Sequence, residues 1–170
     1  MSILRWLGLD GSSGPAPIDS LGEIEKALDG LDPARARYLA CFAYILNRVA
    51  RADQEVGERE ARLMERMVAE RGGLPVEQAA LVVRIATSEG LRHGGTEDFI
   101  VTREFAGLAD RSQKLALLDC LFAVSAADES IGTVEDNVIR QITSELRLEH
   151  ADFIAARSSH VAYLRVLKKN

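Results

Sequence analysis

From Ile18 onward, apolar positions recur at spacings of three and four residues, and no stretch alternates with a period of two. That pattern predicts helices and no sheet. Pro33 behind Asp32 reads as a first-turn proline after an aspartate cap, opening a helix to about Ala52 with Leu39, Phe42, Leu46 and Val49 inward. A second helix is expected over Glu58–Glu70, stopped by Gly72-Gly73. A third is expected from Pro75 to about Ser88, with Val76, Ala79, Ala80, Val83 and Ala86 on its apolar side. After the break from Gly90 to Gly95, Thr96 caps a helix to about Leu108. Helices over Ser112–Ala126, Thr133–Arg147 and Glu149–Arg157 follow, and Ser159–Lys169 would form a terminal one with Val161, Leu164 and Leu167 on one face. The expected fold is all-α, a compact bundle of about seven to eight helices.

The pattern contains a duplication. Ala52-Asp53-Gln54-Glu55-Val56-Gly57-Glu58-Arg59-Glu60 returns at an offset of 75 residues as Ala127-Asp128-Glu129-Ser130-Ile131-Gly132-Thr133-Val134-Glu135, sharing A-D-x-x-[V/I]-G-x-x-E. The flanking core positions keep the same register: Phe42 matches Leu117, Leu46 matches Leu121, Met64 matches Ile139 and Met67 matches Ile142. Two repeats, at about 37–90 and 111–157, therefore fill one domain over 18–170. Residues 1–17 precede it as a flexible segment.

Composition narrows the class of function. The chain has 170 residues, 47% of them hydrophobic and 28% charged, which suits one soluble domain with a real core. A net charge of -5, with Lys and Arg interspersed among acids, excludes a general nucleic-acid binder and favours cationic partners. Cys41 and Cys120 sit apart in apolar helical runs, as buried thiols of a reducing compartment do, so a cytoplasmic setting is expected. Met1–Leu9 carries Ile3, Leu4, Trp6, Leu7 and Leu9 around Arg5, too short to span a bilayer. It either makes a weak contact with a membrane surface or, as terminal segments do, frays or docks on its own core with no specific role.

No catalytic signature is present. The chain lacks G-x-S-x-G, G-x-x-x-x-G-K-[S/T] and a Glu-x-x-His pair, and His93, His150 and His160 have no partner at ligand spacing. These histidines are expected at the surface or at helix ends, and the protein is expected not to be an enzyme.

The motif acids admit two readings. Gly57-x-x-Glu60 and Gly132-x-x-Glu135 have the spacing of a capping box with glycine at the cap, and Asp53 and Asp128 would order the preceding turn. On that reading the domain is a structural or adaptor module for protein contacts. The other reading starts from charge. Should the corners converge, Asp53, Glu60, Asp128 and Glu135 would need compensation, since two like charges about 4 Å apart repel by roughly 4 kcal/mol at an effective dielectric near 20. Arg51, Arg59, Arg62 and Arg66 serve the first copy, whereas Arg140 and Arg147 alone serve the second. An all-oxygen set points to Ca²⁺ or Mg²⁺ over zinc. It is not an EF-hand, because Met64 and Ile139 stand where the closing glutamate belongs.

These tandem corners resemble the TerB family of tellurite-resistance-associated helical proteins, and the TerB-type region of some membrane-anchored co-chaperones. The resemblance covers about Arg37–Arg157. It implies a non-enzymatic stress-response module with interlocked repeats, and an acidic, metal-binding cluster at Asp53, Glu60, Asp128 and Glu135. It further implies protein partners near the inner face of a bacterial membrane. One departure stands out: the family commonly has glycine directly after the aspartate, where this chain has Gln54 and Glu129.

Overall fold

The computed structural model describes residues 26–50, 58–87, 95–126 and 133–160, without the side chains of residues 60 and 95–97. The expected N-terminal segment, the expected helix beyond Ser159 and His93 lie outside the described residues. After one helical turn at 26–29 come α1 (Pro33–Ala50), α2 (Glu58–Gly72), α3 (Val76–Ala86), α4 (Gly95–Leu108), α5 (Arg111–Ala126), α6 (Thr133–Glu145) and α7 (His150–Ser158). The architecture is all-helical, and among the described residues there is no strand.

Local chemistry sets the boundaries. Asp32 caps α1, its Oδ2 accepting from the amides of Ala34 at 3.1 Å and Arg35 at 3.3 Å. Gly73, at φ +70, supplies the left-handed residue that ends α2. Pro75 stands just before α3 rather than within it. Glu149 and Asp152 close a reciprocal capping box on α7. α6 ends at Glu145, two residues short of the expected Arg147, which itself adopts a left-handed φ of 62.

The repeats interlock. α2 packs chiefly on α3 and on α5 of the other copy, while α6 packs on α1, α4, α5 and α7. Within each copy the first and third helices run in the same direction. Arg35 donates to Gln78 near the starts of α1 and α3, and the Asn47 amide donates to the Ala86 carbonyl near their ends. Arg111 pairs with Asp152 at the starts of α5 and α7, and His160 stacks on Phe122 near their ends. α4 runs antiparallel to α1, with Arg37 on Glu104 and Arg48 against Asp98 and Thr102.

Most of the duplicated apolar positions form the core, with Phe42, Leu46, Met64, Leu117, Leu121, Ile139 and Ile142 buried, whereas Met67 is only half-buried. Tyr38, Phe42 and Phe105 make one aromatic cluster, and Phe122 with Phe153 another. Both cysteines are buried, and desolvation pushes the Cys41 thiol up to about 12 and the Cys120 thiol higher still. One expectation fails: Val76 is 75% exposed, because the α3 face that meets α1 and α2 is built from Ala79, Val82, Val83 and Ala86. His160 lies at the end of α7, as expected, but is buried there: it stacks on Phe122 and faces Asp119 at 3.4 Å.

Candidate functional site at the repeat corners

α2 and α6 begin one residue past Gly57 and Gly132, which puts Glu60 and Glu135 at the third helical position that a capping box requires. Asp53 and Asp128 lie outside the described residues, as does the Glu60 side chain. Glu135 is described: only 7% exposed, with no ion pair or hydrogen bond to its carboxylate among the described residues. Its neighbour Asp136 differs. Arg157 of α7 grips Asp136 at 2.9 Å, and Arg140 approaches at 3.9 Å. Glu58 is exposed and makes an (i, i+4) pair with Arg62, at 3.8 Å.

The turns leading into the corners hold two further polar atoms. Asn47 Oδ1, in the last turn of α1, and Ser125 Oγ, in the last turn of α5, are buried without a hydrogen-bond partner. Donation of the Asn47 amide group to the Ala86 carbonyl fixes which side-chain atom is the lone acceptor.

Beside the first corner lies an ionic network that joins three helices. Arg48 Nη1 donates to Glu145 Oε2 at 2.8 Å and to Thr102 Oγ1 at 2.7 Å, and its Nε lies 3.7 Å from Asp98. The Tyr44 hydroxyl donates to Asp98 Oδ1 at 2.7 Å. The Arg48 and Glu145 side chains are 5% and 7% exposed, so the pair sits in a low-dielectric setting. Arg48 also places its charge at the C-terminal end of α1, where the helix dipole favours a cation. Nothing in the sequence pattern marked this group, because its members are up to 97 residues apart.

Ion pairs hold both ends of α6: Glu145, in the last turn, meets Arg48 near the end of α1, whereas Asp136, in the first, meets Arg157 near the end of α7. Among the described residues, no three His, Cys, Asp or Glu side chains group as metal ligands. Also among them, no helix is long and apolar enough to cross a membrane.

An all-helical bundle in which the helices of two repeats pack across one another defines the class. The family model for tellurite resistance protein TerB matches residues 38–158, and the chain belongs to the TerB family. No curated protein and no solved structure matches the chain.

Proposed function

We propose that this TerB-family domain is a non-enzymatic, cytoplasmic stress-response module whose acidic cluster, Asp53, Glu60, Asp128 and Glu135, binds a divalent cation, Ca²⁺ or Mg²⁺, or else the basic group of a protein partner at the inner membrane face. The observation that carries the reading is Glu135, a residue only 7% exposed to whose carboxylate no described side chain brings a positive charge, next to an Asp136 that has two arginines. The oxygen-only donor set suits a hard cation, and the unpartnered Asn47 Oδ1 and Ser125 Oγ add neutral oxygens in the turns that lead to each corner.

The second reading keeps the acids as caps in an adaptor domain, and the placement of Glu60 and Glu135 at the third helical position favours it. Calorimetric titration of the protein with Ca²⁺, Mg²⁺ and Zn²⁺ separates the two. Cation binding predicts heat and a rise in Tm with Ca²⁺ or Mg²⁺, both lost in an Asp53→Asn/Asp128→Asn variant that still melts cooperatively. No heat and no Tm shift at millimolar ion, with the variant less stable at every ion concentration, leaves the capping reading.

A further inference from the structure

The end of α7, the last turn of α5 and the first turn of α6 meet at one end of the bundle, where these three helices pack on one another. Arg157, in the last turn of α7, grips Asp136 in the first turn of α6, and His160, just beyond α7, stacks on Phe122 of α5. Two acceptors stand at this junction with no described donor. Glu135, beside Asp136, is 7% exposed and has no ion pair or hydrogen bond to its carboxylate among the described residues. Ser125 Oγ, one turn beyond Phe122, is buried without a hydrogen-bond partner. Arg140 and Arg157 are both taken by Asp136, so neither is left for Glu135.

The chain leaves the same junction at His160, which is itself buried. Residues 161–170 follow it directly and hold Arg165, Lys168 and Lys169 with no acid, a local excess of positive charge in a protein of net charge -5. One helical turn separates His160 from Arg157, and packed helices lie about 8–10 Å apart, so His160 and Glu135 are on the order of 10 Å from each other. The eight residues from His160 to Lys168 cover about 12 Å as a helix and up to about 27 Å when extended. Either reach meets the span, whatever backbone the segment adopts. A tether this short gives an effective concentration in about the millimolar range. An ammonium, which offers three donors and no acceptor, suits a carboxylate with a free hydroxyl oxygen at the same junction.

We infer that residues 161–170 fold back on this junction and set the Lys168 or Lys169 ammonium against Glu135, which holds the site against a divalent cation. This rests on the reading of Glu135 as a cation acceptor and makes the basic group one of the chain's own. A carbodiimide joins a carboxylate to an amine in contact with it, with loss of water, and so reads the pairing with no metal present. In the monomer fraction, mass spectrometry of the tryptic peptides should find Glu135 joined to Lys168 or Lys169. The yield should be independent of protein concentration and several-fold lower at about 1 M salt, and the product should be absent from Glu135→Gln. A Lys168→Gln/Lys169→Gln variant, with its melting curve unchanged, should bind Ca²⁺ or Mg²⁺ several-fold more tightly than the intact protein by calorimetry. Absence of the Glu135 product overturns the proposal, as does a product formed only between two copies. Equal cation affinity in the intact protein and the lysine variant overturns it too. A cross-link at Glu135 with no cation heat from either protein supports the lysine contact and removes the divalent-cation reading alone.

Discussion

Replacing Arg48 by Met keeps the aliphatic stem that packs between α1, α4 and α6 but removes the guanidinium, so it isolates the charge. Glu145 then loses its 2.8 Å partner at a site 7% exposed, Thr102 Oγ1 loses a donor, and Asp98 keeps the Tyr44 hydroxyl. Removing one partner of a buried ion pair costs about 3–5 kcal/mol, because the remaining charge stays desolvated. That is a large part of a domain's total of roughly 5–15 kcal/mol. At roughly 2–4 °C per kcal/mol for a chain of this size, Tm should fall by roughly 6–20 °C. Arg62→Met, which breaks the exposed pair with Glu58, is the control and should cost about 0–1 kcal/mol. Urea unfolding followed by far-ultraviolet circular dichroism measures both. An Arg48→Met/Glu145→Leu variant completes the cycle and should recover much of the loss, since both ends of the pair are then apolar. An Arg48→Met cost no larger than that of Arg62→Met would refute the assignment of the network as the tie between these three helices.

Two further perturbations test the framework. Gly72→Ala places a Cβ 2.9 Å from the Phe42 ring, and Gly73→Ala forces a side chain onto a φ of +70; each should lower stability by about 1–3 kcal/mol in the same urea assay. Arg111, through its hydrogen bond, together with the Glu149 amide holds the Asp152 carboxyl below its usual 3.8. A depressed folded-state value means that the contribution is present above the unfolded value and lost as pH falls through the folded one. Asp152→Asn should therefore destabilise the protein at neutral pH, and the difference should begin to close only as melts are run below about pH 3.8.

Much of the fold was legible because helix signals are local. Asp32 before Pro33, Gly72-Gly73 and the two corner glycines each act within a few residues, and each falls at or next to an observed helix end. The duplicated register made the core legible too, since a shared spacing fixes which side of each helix turns inward. Choice of neighbour was not legible. Arg48 with Glu145, and Asp119 with Arg71 and His160, join residues that only the packing brings together. The second copy read as short of positive charge because Arg157, twenty-one residues beyond Asp136, gave no sign that α7 would fold back onto the start of α6. At the candidate site, periodicity located Glu60 and Glu135 correctly on their helices but carried no information on how far apart the two corners stand.

The exchange of helices between the copies bears on what either can do alone. α2 finds much of its packing surface on α5, and α6 finds part of its own on α1 and α4, so neither half possesses a complete interior. A lone half would expose the stripes that meet across the duplication, so each half depends on the other for its interior. Holding both in one chain makes that partner permanent and leaves equivalent positions free to differ, as Asn47 on Ala86 and its counterpart, Phe122 against His160, do.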